Sequence, residues 1–382
     1  MFKKNIFVIH NHKNFSGAAR SLGELMINLK KKVEFIVICP KGSSSRFFKS
    51  LNLKVIEVRM VPRFNHFELG YYKGLRWLLI VREIIAFIYF LFFLKNLKKK
   101  FKSINFFHLN ELELVIIAPL LSFFFKAQIT SHLRCPLELK NGKLRFKFLK
   151  KLCKKYLRRI VAIDNDCYKT SPIKRLSKII YNGINKKNLL IADKKKSHIT
   201  FGFVGNFIER KGIYLTLKVF KKLGKKYNLK LICVGRSKNR NWLLNFFRFE
   251  KDFEKFVKVF SIEKCKNIKM LPLTFNLKDF YSKIDIILFP GFMNAVGRPV
   301  IEASLLRKPS IIALDNYNND TAKKNNCLIF APGDIISFEK KILYFIKNRS
   351  KVKKMGESAY INAKKNFDIN KNSKKFYKVI WS

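Results

Sequence analysis

The stretch Phe201-Gly-Phe-Val-Gly-Asn-Phe-Ile-Glu-Arg-Lys-Gly212 ends a short apolar run in Gly205 and sets Arg210 and Lys211 where a helical pattern begins. Free backbone N–H groups at a helix start, next to two cations, are the chemistry that binds a diphosphate. A tight strand-to-helix turn with two solvated cations explains the same residues equally well. A second stretch, Ile284 to Ser304, passes from a buried-strand pattern through Pro290-Gly291 to Gly297-Arg298-Pro299 and Glu302. Pro299 suits the first turn of a helix. Gly297 lets a ligand come close to the backbone. A carboxylate at Glu302 can accept both hydroxyls of a ribose diol, although compensation of the helix dipole, worth about 0.3–1 kcal/mol, is the plainer role for one such Glu.

Other candidates are weaker. His10 and His12 end the first apolar run and could line a cleft, but with His108 they lack a third ligand at metal spacing. A histidine at a strand end is more often hydrogen-bonded than ligating. Asp164-Asn-Asp166 has the form of a metal-binding pair, yet it follows a strand pattern and reads better as a turn-forming cluster. There is no nucleophile elbow and no Walker A sequence. The basic stretch Lys147–Arg159, with leucines at 149, 152 and 157, reads as a helix. Its cations suit an acidic membrane or a phosphorylated acceptor, or form a solvated face.

Short β-branched runs alternate with helical stretches, the pattern of parallel βαβ units. Strands are expected at Ile6–His10, Phe35–Cys39, Lys54–Val58, Asn105–His108, Gln128–His132 and Ile160–Ile163. In the second half they are expected at Thr200–Val204, Lys230–Val234, Ile268–Leu271, Ile286–Phe289 and Ser310–Ala313. Apolar residues at 22, 25, 26 and 29, and at 213, 217, 220 and 223, mark helices over Ser21–Leu29 and Ile213–Leu223. The polar stretch Asn185–Ser197 is the linker candidate. The fold class expected is α/β, two doubly wound Rossmann-like domains facing across a cleft, with ligands at the carboxyl ends of strands.

The chain has 382 residues, enough for two domains, and a net charge of +55. That charge invites an anionic partner. Lys, Phe, Ile and Asn are all abundant, however, as drift in an AT-rich genome would produce. Aromatic residues fall inside apolar runs and do not interleave with the cations, which speaks against nucleic acid. Seven scattered cysteines without a Cys-x-x-Cys suit a reducing cytosol. The apolar run after Lys3-Lys4 is too short for a secretory signal and reads as a first strand. Leu75–Leu94 approaches the roughly 20 residues of a membrane span. Arg82 and Glu83 lie near its middle, so a long buried or surface-lying helix is expected in its place. The trailing lysines suit contact with anionic lipid.

Taken together, these stretches resemble retaining glycosyltransferases of family 4, two-domain GT-B enzymes. The family pattern G-(R/N)-x-x-x-x-K-G is matched by Gly205, Asn206, Lys211 and Gly212. Its E-x-x-G-x-x-x-x-E-A is matched by Gly297, Glu302 and Ala303, followed by Arg307-Lys-Pro-Ser-Ile. Tyr181-Asn-Gly-Ile-Asn185 resembles Y-N-G-V-D, and Ser16-Gly-Ala-Ala-Arg20 resembles G-G-A-E-R. Asn105-Phe-Phe-His-Leu-Asn110 and Ile129-Thr-Ser-His-Leu-Arg134 resemble the strand ends V-V-H-x-N and H-x-R. Two positions depart from the pattern. Asn294 stands for the first Glu of Glu-x7-Glu, and Asn206 for the Arg after the first glycine, with Arg210 four residues on.

The resemblance implies a hexosyltransferase-type enzyme that moves a sugar, with retention, from a nucleotide-diphosphate donor to a cell-surface glycan or lipid-linked acceptor. Lipopolysaccharide, O-antigen, capsule or exopolysaccharide synthesis would be its setting. It implies that Lys211, with Arg210 or Asn206, neutralises the diphosphate leaving group, that Glu302 holds the ribose, that the backbone of Asn294, Ala295, Val296 and Gly297 meets the sugar hydroxyls, and that Arg298 belongs to the donor site. Gly17 and Gly205 would admit the pyrophosphate, and His132 would contact the transferred sugar; His132, Lys211 and Glu302 are the catalytic candidates. His10, His108, Asn110 and Arg134 are acceptor-side candidates. No cofactor and no obligatory metal are implied. The partners expected are the nucleotide-sugar donor, the acceptor and an anionic membrane touched peripherally, with no nucleic acid. The setting expected is the cytoplasm, at the inner face of the plasma membrane. The domains expected are 1–190, acceptor-side, and 196–365, nucleotide-sugar-binding, with a helix from about 366 to 382 packing back on the first. The alternatives are a nucleotide-sugar epimerase on the same scaffold and a basic nucleic-acid-binding protein.

Overall fold

A computed structural model describes residues 4–67, 77–185, 198–236, 253–292, 296–317 and 320–381. The chain forms two compact units, Met1–Ile184 with Phe367–Ser382, and Asn185–Asn366. Nearly all of the expected linker, and Asn294 and Ala295 of the second motif, lie outside the described residues.

In the first unit, seven strands form one parallel sheet in the order β3-β2-β1-β4-β5-β6-β7. They are β1 (Lys4–Ile9), β2 (Val33–Pro40), β3 (Lys54–Val58), β4 (Phe106–Leu109), β5 (Gln128–Leu133), β6 (Leu157–Ala162) and β7 (Ser177–Ile179). The helices are α1 (Gly17–Leu29), α2 (Ser43–Ser50), α3 (Leu79–Lys100), α4 (Ala118–Phe125), α5 (Lys143–Tyr156), α6 (Asn165–Thr170) and the C-terminal helix Ile369–Trp381. The central strands β2, β1, β4 and β5 are buried on both faces, as a parallel sheet demands, and their residues alternate between two cores. Ile6, Val8, Phe106 and Val161 pack with α1, α2 and the C-terminal helix. Phe7, Ile9, Phe107 and Ile160 pack with α3, α4 and α5. The parallel register of β4 on β5 puts His108 opposite Thr130. Period two then carries Thr130 and His132 to the face that the C-terminal helix covers.

The second unit has a six-stranded parallel sheet in the order β10-β9-β8-β11-β12-β13. Its strands are β8 (Ile199–Val204), β9 (Leu229–Arg236), β10 (Ile268–Pro272), β11 (Ile286–Phe289), β12 (Ser310–Ala313) and β13 (Cys327–Phe330). Its helices are α7 (Ile213–Leu223), α8 (Phe253–Val259), α9 (Lys278–Lys283), α10 (Arg298–Leu305), α11 (Ile335–Lys347) and α12 (Arg349–Asn366). Both sheets reverse strand order once, between β1 and β4 and between β8 and β11. Connections leave such neighbouring strands in opposite directions, and the crevice beyond their carboxyl ends is where α/β sheets bind ligands.

One expectation needs correction, and one is met. The basic helix ends at Tyr156, and Leu157–Arg159 begin β6, where Leu157 is a buried strand residue. The apolar segment 75–94 is no membrane span: no helix among the described residues is long and apolar enough to cross a bilayer. Instead α3 lies on the surface of its unit. Glu83, Ala86, Phe90, Leu94 and Leu97 are buried, while Leu78, Val81, Ile84, Ile88 and Phe92 are each more than half exposed.

Candidate functional site

In the second unit, the two motifs that stood far apart in sequence are joined at the switch point. The chain leaves β8 through Gly205, Asn206 and one 3-10 turn, Glu209–Lys211, and enters α7 at Gly212. Gly212 has φ 77° and ψ 15°, and a Cβ there would stand 2.1 Å from the Pro290 carbonyl oxygen. Both facts exclude a larger residue. One residue pair further on, the Phe292 N–H donates to the Arg210 carbonyl at 3.0 Å. The loop after β11 is thus latched to the loop after β8. Asn206 and Arg210 are exposed and Lys211 is half-buried, its Nζ 5.8 Å from the centre of the Phe289 ring. Val296, Gly297 and Arg298 are half-buried at the start of α10, where Gly297 is the N-cap.

Glu302 is 1% exposed. Arg298 Nε donates to its Oε1 at 2.7 Å, and the Tyr281 hydroxyl donates to its Oε2 at 2.6 Å. One turn of α10 brings Arg298 alongside, and α9 supplies Tyr281, itself fully buried. The carboxylate is therefore held inside the unit by charge-assisted bonds. Tyr281 was not among the sequence candidates, because nothing in the spacing of 281 and 302 announces a contact between two helices.

In the first unit the candidates form two buried networks at the ends of β1, β4 and β5. Arg134 Nε and Nη2 donate to Asn110 Oδ1 at 3.0 and 2.8 Å, and Nη1 donates to Asn182 Oδ1 at 3.0 Å. Asn110 Nδ2 in turn donates to His10 Nδ1 at 2.9 Å. Burial, then the charges of His12 and Arg134, hold His10 well below its usual pKa. The second network joins Thr130, His108 and His132. Nδ1 of His108 is 2.8 Å from Thr130 Oγ1, and its Nε2 is 2.6 Å from His132 Nδ1. Burial and the Arg134 charge hold His108 down to about 3, and burial, Arg134 and His108 hold His132 well below the usual range. Phe376 of the C-terminal helix stacks on His132 at 5.4 Å between ring centres and 7° between planes. The acceptor-side candidates are thus all buried, none more than 7% exposed. Gly17 is exposed at the start of α1, where Ser16 Oγ accepts from the Ala19 N–H at 3.4 Å. No heavy atom of the described residues lies within 4 Å of a Cβ built on it.

Two acids beside these networks escaped the sequence reading, although they directly follow Asn110. Glu111 is 5% exposed, with His12 Nε2 4.0 Å from its Oε1. Burial pushes its carboxyl up to about 8, against the pull of Arg134 and with the help of Glu113. Glu113 accepts from Asn11 Nδ2, has Arg63 Nη1 at 3.6 Å, and is also raised, chiefly by burial. The Asp164 cluster is structural: Asp164 caps α6, accepting from the Cys167 N–H at 2.7 Å. Among the described residues no group of three or more His, Cys, Asp or Glu side chains is disposed to hold a metal ion.

Comparison with known proteins bears on the second unit first. The sequence pattern of the family described as glycosyl transferases group 1 matches residues 185–362. No curated protein matches the chain. Anabaena HepE, in complex with UDP and glucose, superposes with a TM-score of 0.75 at 14% identity over 99% of both chains. Sucrose-phosphate synthase of Thermosynechococcus elongatus gives 0.73 at 14% identity, over 99% of this chain and 98% of its own. The lipopolysaccharide outer core galactosyltransferase WaaB, in its apo form, gives 0.62 at 13% identity over 99% of both. At such identities the likeness is one of fold, and the fold is GT-B. The match over residues 185–362, in a chain of two Rossmann-like units, supports an enzyme of the hexosyltransferase type.

Proposed function

We propose that the enzyme transfers a sugar, with retention of anomeric configuration, from a nucleotide-diphosphate donor to a cell-surface glycan or lipid-linked acceptor, as a family 4 glycosyltransferase. The observation that carries this reading is the latch between the two loops of the second unit. It brings Lys211, Arg210 and Asn206 to the switch point that also holds Gly297 and Glu302. A half-buried lysine and an exposed arginine at the start of α7 suit the charge that develops on a departing diphosphate. Glu302 would accept the ribose hydroxyls. The backbone of Asn294 to Gly297 would meet the sugar. In the first unit, Gly17 would admit pyrophosphate and His132 would meet the transferred sugar. UDP in HepE supports a uridine donor first, and WaaB supports a lipopolysaccharide-type acceptor. The exposed apolar face of α3 and the lysines at its end support a peripheral place on the cytoplasmic face of the plasma membrane, where lipid-linked acceptors reside.

The test is a thermal-shift screen against UDP, GDP, dTDP and ADP and their glucose conjugates. Ligand binding raises stability by RT ln(1 + [L]/Kd). One base should give a shift that Lys211→Ala abolishes. A flat response to every nucleotide would sink the reading. Conversion of the donor sugar without any acceptor would assign the enzyme to the epimerases.

A further inference from the structure

A neutral imidazole carries one N–H, so the two hydrogen bonds of Thr130, His108 and His132 leave two ways to place the protons. In the first, the Thr130 hydroxyl donates to His108 Nδ1, His108 Nε2–H donates to His132 Nδ1, and His132 keeps its proton on Nε2. In the second every bond is reversed: His132 Nδ1–H donates to His108, and His108 Nδ1–H donates to Thr130. The hydroxyl hydrogen of Thr130 then needs another acceptor. Thr130 is 0% exposed, and among the described residues its Oγ1 bonds to His108 alone. The second arrangement strands a buried donor, whereas the first leaves only an unused lone pair on an oxygen. An unmet donor costs the full desolvation of that group, so the first arrangement prevails.

The ring planes are fixed as firmly as the protons. Phe376 lies flat on His132 and edge-on to His108, at 5.2 Å and 88°. Burial, with the positive charge of Arg134 adding to it, keeps either ring from taking up a second proton at neutral pH. His132 also lines a small cavity of about 10 Å³ with Ser21, Arg134, Asn182, Asn372 and Phe376.

We propose that Thr130 and His108 are positioning residues that hold His132 in its Nε2–H form, so that this ring meets a sugar oxygen as a hydrogen-bond donor and not as a base. The ligand in this statement rests on the proposed function; the proton placement belongs to the free protein. It assigns a job to two strand residues whose contact no motif announces. It also removes His132 from the candidates for deprotonating an acceptor hydroxyl.

Protein labelled with 15N-histidine, six residues in all, reports each tautomer through long-range proton–nitrogen correlations at pH 7, with His108→Gln and His132→Gln assigning the signals. The expected spectrum shows His132 protonated at Nε2 and bare at Nδ1. Thr130→Val should mix the tautomers of both rings, and Thr130→Ser should restore them. With UDP-, GDP-, dTDP- and ADP-glucose as probes, the nucleotide sugar that stabilises the protein should move the His132 Nε2–H signal. Thr130→Val should lower kcat about tenfold with KM for the donor unchanged, and Thr130→Ser should recover it. A role in packing alone would lower the melting temperature and leave the tautomers as they were. A proton on Nδ1 of His132 in the wild type, or a tautomer pattern indifferent to Thr130→Val, overturns the inference. If no nucleotide sugar binds, the proposed function fails and the ligand half of the inference with it, while the spectrum of the free protein still decides the proton placement.

Discussion

Glu302 shows how much one carboxylate can be asked to do. Arg298 and Tyr281 both donate to it, and the carboxylate is shielded from water. Removing one partner of a buried pair leaves the other charge uncompensated, at about 3–5 kcal/mol. Glu302→Ala should therefore lower unfolding stability by about 3 kcal/mol in urea, and Glu302→Gln, which still accepts from Tyr281, by less. A loss of nucleotide binding in the Gln variant at full stability would isolate the ribose contact. The buried imidazoles and Glu111 act in opposite directions. An unfolded chain protonates His108 near 6.5 and the folded one only near 3, so stability falls as pH drops through that window. The folded chain keeps the Glu111 proton up to about 8 and the unfolded one loses it near 4.5, so stability also falls as pH rises through that window. His108→Gln should flatten the acid limb of melting temperature against pH, and Glu111→Gln the alkaline limb. The positions of Lys211, Gly212 and Glu302 were legible in the sequence because glycine and proline punctuate the loops that carry them. Their buried partners were not. Tyr281 meets Glu302, and His132 meets His108, only after helices and strands have packed, and the order of strands in a sheet is not written in local spacing.

Among the elements, α3 is the one whose two faces disagree with a simple amphipathic helix. It buries one apolar face in the core and offers another, from Leu78 through Ile84 and Ile88 to Phe92, with Lys98, Lys99 and Lys100 in its last turn. Phe123 on α4 and Leu144 and Phe148 on α5 are also exposed, and these helices cover the same side of the sheet. Burying such side chains at a lipid interface stabilises binding by about 25 cal/mol per Å² of apolar surface, and the lysines add attraction to anionic headgroups. Ile84→Asp with Ile88→Asp should abolish sedimentation with phosphatidylglycerol vesicles while the melting temperature stays within about 2 °C. Equal sedimentation of the variant would remove α3 from the membrane. Most strands were visible as apolar runs, β3, β11 and β12 at both ends and the others with ends displaced by at most three residues. The two that escaped are short: β7 has three residues with Lys178 exposed, and β13 only four. A three-residue run such as β7 contains too little of a two-residue period to be distinguished from a loop.

The C-terminal helix joins distant parts of the chain into one unit. Phe376 and Ile380 pack against Ile6, Ala19, Leu22 and Phe106, and Phe376 also clamps His132. Deleting residues 367–382 should uncover that core and unfold the first unit alone. Calorimetry should then show a lost transition at low temperature and a preserved one for the second unit. Two transitions at their undeleted temperatures would show that the helix is dispensable.

The same return of the chain sets a timetable for its synthesis. Domains ordinarily fold as they emerge, the N-terminal one first. Here the first unit starts before the second yet lacks a side of its core until residues 367–382 have been added. The second unit, contiguous from Asn185 to Asn366, has all its strands before then. The half that is born first is thus the half that matures last, and a ribosome stalled short of Phe376 would hold a nascent chain with half its histidine clamp missing.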